Sequence, residues 1–260
     1  MSGRGASLCA GWHVAGQRAI LFLGMAAVWS LACTEFAAEA AFCGRCRFGA
    51  DSLSIQKVQA LRTAANTPGD FDFYVLSLSW SPGFCETPAA ARVHGQCETG
   101  VNLGFVVHGL WPQYSRGYPS DCSPAAKSPS RIALESARNL YPNEGLARHE
   151  WAKHGTCSAK SPTDYFADVR RARDTITIPV PFVASKEKQT WAPIDILRAF
   201  IAANSRLRPG MLGLECKNGI LQEVRICFSK DVRDFHVCPE ISRQGCRARE
   251  ISVPPIRWKP

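Results

Sequence analysis

Several features that would place this chain in a known class are missing. An apolar run from Ala19 to Cys33, broken only by Ser30, is shorter than the ~20 residues a membrane-spanning helix requires. Glycine and proline, 20 and 17 of 260 residues, are too few for a collagen-like or linker architecture. There is no internal repeat and no long low-complexity stretch. No glycine-rich phosphate loop occurs, and the regular βαβ alternation of a doubly wound sheet is lacking. Without a Gly-x-Ser-x-Gly elbow, a serine hydrolase has no nucleophile candidate. Paired Cys-x-x-Cys zinc spacing is absent. No Asn-x-Ser/Thr sequon with a permitted middle residue occurs, which favours a bacterial exported chain over a glycosylated one.

The composition that is present, 46% hydrophobic and 20% charged, excludes intrinsic disorder and fits a folded core. The formal net charge of +9 favours polyanionic partners, nucleic acid or an anionic membrane. Residues 1–40 read as a signal peptide: Arg4 and Arg18 precede the apolar run, and Ala38-Glu39-Ala40 supplies a small-x-small cleavage site. That segment carries two Arg and two Glu, so its removal leaves the charge at +9. Residues 41–67 form a leader segment, and 68–260 one domain.

Of 12 cysteines, Cys9 and Cys33 fall in the signal peptide. The remaining ten, an even number in an exported chain, imply a disulfide framework. Cys43 and Cys46 have thioredoxin-like spacing without βαβ context, so they read as a local bridge or tail. Strand formers fill Phe73 to Trp80, Leu103 to Val107 is a short strand, and Leu221 to Phe228 alternates through its middle. Ser161-Pro162-Thr163-Asp164 starts a helix over Tyr165 to Arg173. Pro193 starts another, with Ile194, Leu197, Phe200 and Ile201 on one face, and Ser130 to Leu140 is a third. Strands and helices are interspersed, which gives an α+β fold: a central, mainly antiparallel sheet flanked by helices and braced by disulfides.

Two segments carry chemistry. In Phe105-Val106-Val107-His108-Gly109-Leu110-Trp111-Pro112, a strand delivers a histidine at its end, before a glycine turn. In His149-Glu150-Trp151-Ala152-Lys153-His154-Gly155-Thr156-Cys157, helical spacing puts His149, Lys153, Glu150 and His154 within an arc of about 140°, with Trp151 outside it and Gly155 as a C-terminal stop. The two histidines are five positions apart, not the four of His-Glu-x-x-His, so they diverge too far to chelate one zinc ion. Without a metal, two imidazoles, a lysine and a glutamate on a basic protein suit RNA cleavage by its own 2′-hydroxyl. One imidazole removes the 2′-proton, a second protonates the 5′-oxygen, and cations including a protonated third histidine stabilise the phosphorane.

His-Gly-Leu-Trp-Pro and His-Glu-Trp-x-Lys-His-Gly-x-Cys, beginning at His108 and His149, resemble the two active-site segments of the T-two family of ribonucleases, the acid and self-incompatibility type. Phe71 to Cys85 and Leu221 to Cys227 also look like that family, and the resemblance covers roughly 68–250. It implies that His154 is the base and His108 the acid, that His149 binds the scissile phosphate, and that Glu150 and Lys153 polarise it. Trp111 would lie beside a base site or serve as a core residue. Gln113 stands where many relatives carry Asp or Asn. The implied bridges are Cys85–Cys97, Cys122–Cys157, Cys216–Cys246 and Cys227–Cys238. The implied activity is a metal-independent, cofactor-free, monomeric, secreted or periplasmic endoribonuclease that cuts single-stranded RNA to a 2′,3′-cyclic phosphate and then a 3′-phosphate with low base specificity. The alternatives are a catalytically silent RNA- or polyanion-binding member and a cationic membrane-active protein, the latter lacking a basic amphipathic stretch. His94 and His236 read as ordinary loop or surface residues.

Overall fold

The β-rich middle of the chain organises everything else. The computed structural model describes residues 66–256 except 93, 94, 99 and 244, all within one compact unit, Asp51–Pro260. The expected signal peptide, all but the last two residues of the expected leader, Cys43, Cys46 and His94 lie outside the described residues. Six strands are present among the described residues: β1 (Phe73–Trp80), β2 (Phe105–Gln113), β3 (Gln189–Trp191), β4 (Leu212–Lys217), β5 (Ile220–Ser229) and β6 (Ile251–Val253). They form one sheet in the order β2-β1-β5-β6-β3, with β4 also paired to β5. Every pairing is antiparallel except the single parallel contact between Ile220 on β5 and Ser252 on β6. The helices are α1 (Arg131–Ser136), α2 (Glu144–Lys153), α3 (Pro162–Thr175), α4 (Pro193–Ala203) and α5 (Pro239–Arg243), with single turns at Ser81–Phe84 and Val180–Val183. The fold is therefore α+β.

β1 is buried along its whole length because both of its faces are covered. Tyr74, Leu76, Leu78 and Trp80 point into the main core, with Tyr165, Phe166 and Val169 of α3 and Ile196 and Phe200 of α4. Phe105 lies at the centre of an aromatic group there, 4.9 Å from Trp80, 5.8 Å from Phe182 and 5.6 Å from Phe200 between ring centroids. Phe73 and Val75 point the other way, into a smaller cluster with Cys227 and Cys238, against which Trp111 and Ile241 pack. Further along that second face the side chains turn polar at Ser77 and Ser79, both buried.

Two sequence expectations change. Ile194 is exposed, whereas Ile196 and Phe200 are the buried residues of α4. At 3.6 residues per turn, Ile194 lies about 200° from Ile196 and cannot share its face. β4 was not expected. It is joined to β5 by Asn218-Gly219, whose φ values of 52° and 72° are those of a tight hairpin turn that Asn and Gly tolerate. The four bridges Cys85–Cys97, Cys122–Cys157, Cys216–Cys246 and Cys227–Cys238 are formed, the pairs implied by the resemblance. Among the described residues no helix is long and apolar enough to cross a membrane.

Candidate active site

His108 does not end a strand; it sits inside β2. Ser77 pairs with Gly109 and Leu78 with Val107, which leaves His108 as the extra residue of a β-bulge. Strict alternation back from Trp111 would put His108 beside Leu110 in the core. The bulge breaks that period, so Val107 and Leu110 both stay buried in the core while His108 turns to the second face. Gly109 is not a turn either. A Cβ there would lie 2.1 Å from Glu150 Oε2 and 2.2 Å from Trp111 Nε1, so only glycine lets those groups approach the strand. Pro112 continues the strand without cost because β2 is an edge of the sheet.

The second segment is supplied by α2. Asn143 caps it, its side chain accepting from Leu146 N at 2.8 Å. Trp151 is buried and donates from Nε1 to Ala126 O, which fixes the helix against the preceding loop. His154 is the C-cap, outside the regular helix, and a 3₁₀ turn, Gly155–Ser158, follows. Gly155 does not stop the helix by adopting a left-handed conformation, which falls instead on Ala159, at φ 58°. Its Cβ would lie 2.4 Å from Trp151 Cε3, so its role is close packing under that ring. Cys157 in this turn is bridged to Cys122, and Asp121 N donates to Lys153 O at 2.8 Å.

These elements bring His108, Trp111, Gln113, His149, Glu150, Lys153 and His154 around one cavity of ≈ 370 Å³. The indole of Trp111 packs near both imidazoles, 5.1 Å from His108 and 5.4 Å from His154 between ring centroids. Its Nε1 donates to Glu150 Oε2 at 2.7 Å, and the Arg225 guanidinium lies 5.5 Å from its ring centroid. Trp111 thus packs on the smaller cluster and also lines the cavity. It lies beside both histidines and holds Glu150 by a hydrogen bond. Gln113 is buried, and its Nε2 donates to Pro112 O. His236 is exposed and stacks on Phe73 at 5.0 Å.

The electrostatics differ sharply between the histidines. Burial acts to lower the His108 pKa, but the hydrogen bond and charge of Glu223, helped by Glu150, outweigh it and raise the value above 6.5. His154 is pushed down to about 3 by burial and by Lys153, His108 and His149. Burial, Lys153 and His108 also lower His149, against the smaller opposing pull of Asp121. Glu150, almost fully buried, is raised to about 7 by burial, against the opposing pull of His108, Trp111 and Lys153.

Four residues of this cavity were not read from the sequence. Tyr118 and Ile241 line it, as does Arg225, and Glu223 bonds to His108 behind it. The available signal was in β5: Glu223 and Arg225 are two charges on one face of an otherwise apolar strand. They pass for a solvent face unless the strand is known to be central. Among the described residues no group of three or more His, Cys, Asp or Glu side chains is arranged to hold a metal ion.

Comparison with models of protein families matches residues 71–238 to the Ribonuclease T2 family. A ribonuclease of Aeromonas hydrophila is 39% identical over 182 residues, 68% of this chain and 80% of that protein. Ribonuclease I of Escherichia coli is 29% identical over 222 residues, 69% and 83% of the respective chains. Among solved structures, the RNase-related protein from Calystegia sepium superposes with a TM-score of 0.57 at 23% identity, covering 72% of this chain and 98% of its own. That last likeness concerns the fold alone.

Proposed function

This chain belongs to the Ribonuclease T2 family and is a ribonuclease of that type, and from that premise we propose that it cleaves single-stranded RNA by 2′-hydroxyl transphosphorylation, without a metal ion and with low base specificity. The observation that carries the reading is the pair of imidazoles lining one cavity beside Trp111, one with its pKa raised and the other with its pKa lowered.

A neutral His154 can accept a proton, and a protonated His108 can give one. The Nδ1 of His154 is buried and without a hydrogen-bond partner, so Nε2 is the nitrogen available to the substrate. In the first step His154 removes the 2′-proton as the O2′–P bond forms. His108 protonates the 5′-oxygen as the P–O5′ bond breaks, leaving a 2′,3′-cyclic phosphate. In the second step the roles reverse: His108 activates water, His154 returns a proton to O2′, and a 3′-phosphate results. Glu150, neutral below about pH 7, can donate a hydrogen bond to a nonbridging oxygen that a carboxylate would repel. Lys153 supplies fixed positive charge beside it. His149, at the exposed rim of the cavity, takes up a proton once an anion enters. Gln113, and the edge of Trp111 left uncovered by Arg225, would meet the base.

Four disulfides support export, as does the apolar run before Ala40, and we place the mature ribonuclease, a monomer, outside the cytoplasm. The decisive experiment is digestion of a dinucleoside-phosphate panel in excess EDTA with product identification. Cyclic phosphates should accumulate from every base, and 2′-deoxy substrates should stay intact. Activity lost on chelation, or a cut 2′-deoxy substrate, refutes the mechanism. A chain that binds RNA but cuts none of the panel is the silent family member.

A further inference from the structure

Neither active-site segment contains the carboxylate that touches the acid of the reaction. Glu223 lies on β5, opposite Ser79 of β1, and is 8% exposed. Its Oε1 is 2.5 Å from His108 Nδ1. Its Oε2 accepts from Arg225, 3.0 Å from Nε and 2.8 Å from Nη2. Arg225 is held in turn by Glu215 of β4, at 3.2 Å, and by the face of Trp111. On the other side of the imidazole, His108 Nε2 lies 3.8 Å from Glu150 Oε1, within the cavity.

Burying a carboxylate costs several kcal/mol unless its charge is met, so such a group is retained at a position where both oxygens have partners. Here one partner is the histidine that must hold and then release a proton. A carboxylate on Nδ1 keeps the proton there in both charge states, orients the ring and leaves Nε2 to exchange with the substrate.

We propose that Glu223 is the positioning residue for His108, locking its ring and tautomer so that Nε2 faces the departing 5′-oxygen, and that Arg225 keeps Glu223 aimed. This rests on the reading of His108 as general acid. The proton that moves is the one on Nε2: it passes to O5′ as the P–O5′ bond breaks. Glu223 stays ionised throughout and exchanges no proton.

The groups facing His108 are Glu223 and Arg225 from β5, Glu150 from α2 and, beside the same Trp111 indole, His154. His149 and Lys153 complete the charged set of the cavity. Glu223→Gln removes the negative charge nearest the imidazolium and leaves Arg225 uncompensated, and both changes disfavour the protonated ring. A neighbouring opposite charge is worth ~1–3 pH units. The alkaline limb of the pH profile should therefore move down by about one unit or more, and kcat should fall roughly tenfold or more. Glu223→Asp, which keeps the charge, should restore much of the limb.

Imidazole ¹⁵N chemical shifts supply a readout independent of activity and need no variant: in the unaltered protein, neutral His108 should carry its proton on Nδ1. If the neutral form is protonated on Nε2, or if Glu223→Gln folds and leaves both the limb and the ¹⁵N titration of His108 in place, the proposal is overturned. His108→Ala separates the two ideas. Full activity there removes the reading of His108 as acid. An inactive His108→Ala beside an unaltered Glu223→Gln removes only the role of Glu223.

Discussion

The site is built from residues whose protonation is set by where they are placed. The proposed mechanism needs His154 neutral and His108 protonated. As pH rises, the first condition is met on passing about 3, and the second is lost only above the ordinary histidine value of 6.5, since His108 is raised. Glu150 loses its proton near 7 and adds to the same alkaline decline. The kcat/KM profile should therefore be a bell with a wide acidic plateau, its rising limb well below and its falling limb above the value of free imidazole. Steady-state kinetics on a dinucleoside phosphate from pH 3 to 9 measures it. A narrow optimum with its rising limb between pH 6 and 7 would contradict the assignment of His154 as the base. At this scale the sequence was informative about identity and silent about charge state. His108 and His154 are both plain from their motifs, but their opposite shifts come from Glu223 at the one and from burial, then Lys153, at the other.

At the level of elements, the proposed catalytic groups stand on irregularities in otherwise regular structure. His108 occupies a bulge, and His154 a helix cap followed by a 3₁₀ turn. The bulge left a trace in the sequence, since Val107 and Leu110 are separated by two residues where alternation allows one. The sequence ends the strand at Val107 because Gly109 resembles a turn residue, with Pro112 shortly after it. Each is instead explained by a neighbour: Gly109 by the close approach of Glu150 and Trp111, and Pro112 by the free edge of β2. The cap of α3 was readable because it is local: Ser161 Oγ accepts from Asp164 N. The turn carrying His154 is tied down by Cys122–Cys157. Replacing both cysteines by alanine should cost ~2–4 kcal/mol of stability, measured by urea denaturation. It should lower kcat more than the same change at Cys85 and Cys97, which bridge a loop away from the cavity. Equal effects of the two pairs on kcat would show that the bridge does not hold His154 in place.

Over the whole molecule, residues 1–40 contribute nothing to the net charge of +9, and the described residues 66–256 carry +4 of it. Binding of an RNA backbone by basic side chains releases counterions, so log Kd should rise linearly with log salt, with a slope of roughly 0.7 per phosphate contacted on single strands. Fluorescence anisotropy with a 2′-O-methyl oligonucleotide, which cannot be cut, measures the slope without turnover. A slope near zero would mean that RNA is held by contacts other than the backbone.

The sequence by itself determined what is covalent or local: the chemistry of the two histidine segments, the caps, the number of cysteines and the mixture of strand and helix. Tertiary structure alone decided which face each residue serves. His108 and Glu223 are 115 positions apart and meet only because β2 and β5 flank β1 in one sheet. Burial between those strands is also what moves the proton affinities. A pKa depends on the water and charges within a few ångströms, and here those are supplied by chain segments that no reading of neighbouring residues brings together.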